Sequence, residues 1–482
     1  MKVLFYKYSS EYAFLCVFLI TLFTSFCFST SIFAQQKPNA DNHGRGLLLE
    51  QEVQASEQIP LKAPQTEESY RGLPSAVSLK QYCPTPGDQG SYGTCVGWTT
   101  AYAARTILEA RQLDLRSQVE IDKLIFSPGF IYKLVKEEED QDCTYGAIMT
   151  DALKKMQVHG VAKRSSFPEQ CVDYVPERTY KEAENYKLKD YVRLWNVGYT
   201  NQERISALKK SLTEGNPVVI GMEAPPSIYD AKEFWRPSEL PNQGWGGHAI
   251  CVIGFDNKKG EKGAFEIMNS WGTGWANGGF TWVEYDTFTD FVRFAYELVP
   301  YYKPKKERPL LAGSLRFELA NGNKINLKKN GIATYKTPQP FSGGTNFRLY
   351  LSNFEPAYVY AFATDKTKNV QVVFPHKAYI SPFLPYHNGE IAFPDEKHYL
   401  TMDNIAGTDY FCVIYSRYPL EINEIYQKLG QRKGTLKEGL EQVLGNKLVS
   451  ATEITYSTNE VKFSTSSLKG TVAFFVVELE HK

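Results

Sequence analysis

The sequence predicts an α+β protein: a two-lobed domain followed by a β-sandwich-like domain. Three observations carry that expectation. Apolar residues three and four apart mark helices through 95–111 and 148–158, whereas strand patterns dominate from 217 to 299. Charge and proline interrupt the pattern at "YYKPKKERP", 301–309. Beyond it, short apolar runs alternate with turn residues, and the chain's 31 Tyr and 29 Phe suit strands better than helices.

Residues 1–34 read as a signal peptide. Lys2 and Lys7 precede an apolar stretch, Ala13 to Phe28, and small residues lead to a cut after Ala34. A spanning helix needs ~20 apolar residues, and Thr21, Thr24 and Ser25 interrupt this stretch. The expected protein is therefore exported (secreted, periplasmic or at the cell surface), with no stable membrane insertion after cleavage. Export permits disulfides among Cys83, Cys95, Cys143, Cys171, Cys251 and Cys412, but spacing alone does not pair them.

Residues 35–73 are polar and aperiodic, and read as a linker or short pro-segment. Residues 74–300 form the first domain, helices first and strands second. "SALKKSLTEG" reads as a helix stopped at Gly215, and "HAICVIGF", "AFEIMNSW", "GFTWVEY" and "FAYELV" read as strands. Residues 310–482 form the second domain, its strands interrupted by one helical insert at about 421–445.

Lys+Arg and Asp+Glu balance at 54 each, so the basic footprint of a nucleic-acid binder is missing. No CxxC or HExxH spacing occurs, so neither a metal nor a cofactor is expected.

The chemistry centres on "DQGSYGTCVGWTT", 88–100. Cys95 stands where a glycine-rich loop becomes a helix, and helix N–H groups favour a thiolate. Taken alone, a cysteine in an exported chain has a structural reading too. A nucleophile also needs a base. His248, in "WGGHAICVIGF", is held by a glycine-flanked loop at the start of an apolar strand. Asn269, in "IMNSWGTGW", is an ordinary turn residue by itself, yet its carbonyl can accept the imidazole N–H and fix the tautomer. Their separations suit adjacent strands facing the Cys95 helix from another lobe. Gln89 offers an amide donor to a developing oxyanion, beside the Cys95 backbone N–H; otherwise it is a solvated loop residue.

"QGSYGTC", "GGHAICVIGF" and "NSWGTGW" together resemble the papain-like cysteine peptidases over about residues 74–299. The resemblance implies a papain-like catalytic domain acting on protein or peptide substrates. It implies Cys95 as nucleophile, His248 as general base and acid, Asn269 as its orienter and Gln89 as oxyanion donor. It places Gly146, Ala147, Gly247 and Trp271 at the substrate cleft, with Trp271 shielding the His–Asn hydrogen bond. Tyr92 stands where the family usually has a second cysteine, which leaves Cys143 free to pair elsewhere, for instance with Cys171. Val96 replaces the usual aromatic after the nucleophile. A long inhibitory pro-domain is missing. An acyl transferase on the same triad and a non-catalytic papain-fold binding protein are the alternatives.

Overall fold

Why the first domain has two lobes is visible in how its chain buries apolar residues. The computed structural model describes residues 43–301 and 308–482; the expected signal peptide and most of the 301–309 boundary lie outside the described residues. Cys95 opens a helical run that is α-helical over Cys95–Gly97, π-helical over Trp98–Arg105 and α-helical again over Thr106–Gln112. Val96, Trp98, Ala101, Ala104 and Ile107 are all buried, so this run is the core helix of its lobe. Pro128–Val135 and Met149–Val158 pack beside it. The former is started by Ser127, whose Oγ accepts the Phe130 N–H, and by proline in its first turn.

The other lobe is an antiparallel sheet. Its strands run in the order Leu188–Arg193, Val292–Pro300, Val218–Glu223, Gly247–Asp256, Ala264–Met268 and Phe280–Glu284, and Ala76–Ser78 adds to Gly247–Asp256. The strands from 218 to 268 are buried on both faces, which is why they read as continuous apolar runs. The helix expected over 206–215 starts earlier, at Asn201. A reciprocal cap between Thr200 and Glu203 sets its beginning, upstream of the apolar residues that signal the helix.

In the second domain two sheets pack face to face. One contains, in order, Gln371–Phe374, Ala357–Thr364, Gly407–Ser416, Val472–His481, Thr334–Lys336 and Lys328–Gly331. The other contains Gly389–Phe393, Asn346–Asn353, Leu311–Leu319, Val461–Thr465 and Thr455–Tyr456. Phe317, Leu349, Val359, Val413 and Phe475 fill the space between them. The helical insert is two helices, Ile422–Gly430 and Leu436–Leu444, the second restarted by a Thr435–Glu438 capping box. Leu429 and Leu440 cover Tyr360, Ile414 and Phe474 on the outer sheet face.

Residues 43–73 lie against both domains. Residues 43–48 cross the first domain, Leu49–Ser56 is a helix, and residues 59–67 run between the domains. The domains also touch directly, where the Tyr358 hydroxyl donates to Asp190 at 3.0 Å.

Candidate active site

Two neighbouring strands and one helix start position the candidate residues. Cys251 faces Met268 across the antiparallel pair. His248 precedes Cys251 by three residues and Asn269 follows Met268 directly, so both lie at the same end of the sheet. His248 Nε2 and Asn269 Oδ1 are 2.9 Å apart. A carbonyl oxygen only accepts, so Nε2 carries the proton and neutral Nδ1 keeps a lone pair. Nδ1 is buried and has no hydrogen-bond partner among the described residues. Trp271 stacks on His248 at 4.8 Å and on Tyr229 at 4.8 Å, and roofs the His–Asn pair against water.

Gln89 is fully buried. Its carbonyl accepts from Ser270 Oγ at 2.6 Å, which turns the amide nitrogen towards the cleft. That nitrogen donates to Gly44 O at 3.0 Å and to Tyr92 O at 2.7 Å. Cys95 is likewise buried, as a free thiol, while Cys143 is disulfide-bonded to Cys171. The Cys143–Ala147 loop on the far wall is held by Asp140, which accepts from Thr144 N–H at 2.8 Å and from the Tyr132 hydroxyl at 2.6 Å.

All these groups face one short piece of chain, residues 43–48. Gly46 N–H points at Cys95 Sγ at 3.3 Å. Leu47 N–H donates to Gly247 O at 3.3 Å and Leu48 N–H to Ala147 O at 3.1 Å, while Gly46 O accepts from Ala147 N–H at 2.8 Å. The strap pairs parallel with Ala147 and antiparallel with Gly247. His43, at its other end, stacks on Trp271 at 5.5 Å. The strap therefore touches Gln89, Cys95, Ala147, Gly247 and Trp271; Gly146 contributes close backbone approach to Gly46. Two glycines make this path possible. A Cβ on Gly44 would lie 2.0 Å from Tyr92 O, and one on Gly46 would lie 1.9 Å from Gly93 O. Leu47 is buried, and burying a leucine side chain is worth about 1.5–3 kcal/mol.

Covering the site changes its electrostatics. Burial pushes the Cys95 thiol up to about 11, although backbone N–H groups of Ala249 and Gly46 oppose the rise. Burial holds His248 down to about 4; the Asn269 hydrogen bond opposes this, and Arg45 and His43 of the strap add to it. Under the strap the pair is a neutral thiol and a neutral imidazole, which is a poor nucleophile. Water cannot stabilise an ion pair there, and the Arg45 guanidinium of the strap disfavours imidazolium.

The strap residues were not singled out in the sequence, where 35–73 reads only as polar and aperiodic. They bind mostly through backbone N–H and C=O groups, which every residue has. The one legible signal is the run "HGRGLLL", two glycines followed by three leucines.

Residues 80–292 match the family model described as papain family cysteine protease. Over 218 residues the chain is 27% identical to an uncharacterized peptidase C1-like protein of Acanthamoeba polyphaga mimivirus, covering 42% of this chain and 65% of that protein. Over 215 residues it is 26% identical to a cysteine protease of Blomia tropicalis, covering 41% and 56%. The chain thus spans less than two thirds of the length of either relative. Among solved structures, xylellain, a cysteine protease from Xylella fastidiosa, aligns over 54% of this chain and 98% of its own, with 23% identity and a TM-score of 0.42. The bromelain protease of Ananas comosus aligns over 47% and 99%, with 14% identity and a TM-score of 0.38.

Proposed function

We propose that this chain, whose residues 80–292 belong to the papain family of cysteine proteases, is an exported thiol peptidase held in an inhibited form by its own residues 43–48. The observation that carries the reading is the strap itself: it lies along Ala147 and Gly247 and meets Gln89 and Cys95 with its backbone, as an extended peptide substrate has to.

In the open enzyme His248 Nδ1 takes the Cys95 proton, and the thiolate attacks a substrate carbonyl carbon. Negative charge on that oxygen is met by the Gln89 amide and the Cys95 backbone N–H. The C–N bond breaks as imidazolium returns the proton to the leaving amine, and an acyl-thioester remains on Cys95. Water, deprotonated by His248, releases the acid and restores the thiol. Asn269 fixes the tautomer throughout.

The strap presents the Gly46 N–H to the Cys95 sulfur and fills the cleft.

The test is hydrolysis of a peptide library by the full chain and by the chain freed of its strap. The expected result is turnover that rises on strap removal and disappears in Cys95→Ser. Equal turnover by Cys95→Ser would overturn the assignment.

A further inference from the structure

The far wall of the cleft offers the strap one pairing edge, the N–H and C=O of Ala147. What holds that edge lies behind it. The loop Cys143–Ala147 carries two residues in the left-handed region, Cys143 at φ 56° and Gly146 at φ 92°. A non-glycine residue keeps such a conformation only where its surroundings impose it. Cys143 is bonded to Cys171, and the wall meets the loop before Cys95 through a hydrogen bond, from Gly93 N–H to Cys143 O at 2.7 Å.

Three successive backbone N–H groups of the wall end on one pair of side chains. Thr144 and Tyr145 N–H donate to Asp140 Oδ1 at 2.8 and 3.2 Å, and Gly146 N–H donates to the Tyr132 hydroxyl at 3.0 Å. That hydroxyl in turn donates to Asp140 Oδ2 at 2.6 Å. Burial and this bond raise the Tyr132 hydroxyl above its ordinary value, so it keeps the proton it donates. Asp140 is fully buried, and Tyr132, on the helix Pro128–Val135, is nearly so. Lys136, also buried, bonds the Asp140 carbonyl at 2.7 Å and Asp173 Oδ1 at 2.8 Å, and brings a cation to the cluster. The next N–H along the wall, that of Ala147, points the other way, at Gly46 O of the strap. The hydrogen bonds of the Asp140 carboxylate and the Tyr132 hydroxyl go to none of Gln89, Cys95, His248 and Asn269.

We infer that Asp140 and Tyr132 are positioning residues for the substrate: by taking the N–H groups of 144, 145 and 146 they turn the N–H and C=O of Ala147 to the cleft, in the orientation with which an extended peptide pairs. This rests on the peptidase reading for the substrate, though not for the edge. Without Asp140, two N–H groups lose their acceptor, which costs free energy until they find another. Turning them to water rotates the peptide planes of the wall, and with them the plane that carries the Ala147 N–H. Pairing then weakens while Cys95, His248 and Asn269 stay as they are. The pair therefore acts on strap docking and on KM, and not on kcat.

The test compares the full chain with Asp140→Ala, Asp140→Asn and Tyr132→Phe. Hydrogen–deuterium exchange with mass detection follows residues 143–147 and, for reference, the helical run 95–112; alkylation with iodoacetamide and peptide mapping give the labelling rate of Cys95. Asp140→Ala is expected to speed exchange in 143–147 and to raise Cys95 alkylation about tenfold, the loss of one or two hydrogen bonds between strap and wall. The reference run should stay as protected as in the parent. Asp140→Asn keeps a carbonyl for Thr144 and Tyr145 N–H and should restore most of the protection. Tyr132→Phe frees only the Gly146 N–H and should lie between. Unchanged exchange and alkylation in Asp140→Ala would overturn the proposal. So would equal loss of protection in the reference run with no rescue by Asp140→Asn, because that describes a merely structural carboxylate. If Asp140→Ala does not fold, Tyr132→Phe decides by the same readouts. Adding Gly46→Val, whose side chain has no room against Gly93 O, opens the cleft. In that background Asp140→Ala is expected to raise KM about tenfold for peptides that reach Ala147, with kcat kept. A fall in kcat at constant KM would overturn the positioning role. Exchange and alkylation need no turnover, so a chain that hydrolyses nothing in any version contradicts the peptidase reading alone.

Discussion

At the scale of single residues, Gln89 and His248 are each held by a partner that fixes their orientation. Ser270 turns the Gln89 amide, Asn269 sets the His248 tautomer and Trp271 stacks on that imidazole. Gln89→Ala is therefore expected to lower kcat by about 10²–10³ with little change in KM, the loss typical of one oxyanion donor. Asn269→Ala is expected to be milder than His248→Ala, since the base survives and only its orientation loosens; equal losses in two folded variants would give the asparagine a larger role. Strap docking is expected to depend on pH. His248 is held down to about 4 under the strap, so docking is at full strength above the ordinary imidazole value and weakens as pH falls towards 4. Glu52 has the opposite sign: burial raises its carboxyl, so its contribution is present at low pH and is lost as pH rises through the raised value. A synthetic 43–58 peptide carrying His43→Asn and Glu52→Gln removes two other titrating groups. Calorimetry should show it binding the strap-freed enzyme more weakly at pH 4.5 than at pH 7; flat or tighter binding would contradict the electrostatic account.

At the scale of elements, the strap depends on two residues without side chains. Gly46→Val puts a branched side chain where a Cβ already meets Gly93 backbone at 1.9 Å, and no flexible group is available to move. The full-length variant is expected to hydrolyse small peptides without removal of the strap, with its thermal transition nearly unchanged; activity equal to that of the strap-closed parent would show that 43–48 does not close the cleft. The sequence made the candidate catalytic elements legible for a physical reason: a thiol, an imidazole and two amides are rare chemistry, and glycines and strand patterns surround them. The strap was not legible because its contacts are backbone to backbone. The ion pair of Lys62 with Glu297 was missed for a related reason. Lys62 looks like any lysine in a polar stretch, and its meaning lies in Glu297, which is far away in the chain and buried on an apolar strand.

At the scale of the whole molecule, alternation in 310–482 announced strands but not their order. Thr334–Lys336 pairs parallel with Val472–His481, a contact between distant parts of the chain that local pattern cannot specify. Residues 74–302 hold every proposed catalytic group but leave out Lys62. With Lys62 outside that piece, Glu297 loses its cation, so residues 59–302 are expected to be the better-behaved unit. Side-by-side thermal unfolding should give 59–302 the higher midpoint, and equal midpoints would assign Lys62 no structural weight. The most direct test of the central claim is to label the strap-freed protein with an epoxysuccinyl probe and locate the adduct by mass spectrometry. The account predicts one adduct, on Cys95, faster than in the strap-closed chain and gone in Cys95→Ser. An adduct on Cys83, Cys251 or Cys412, or labelling that persists in Cys95→Ser, would contradict it.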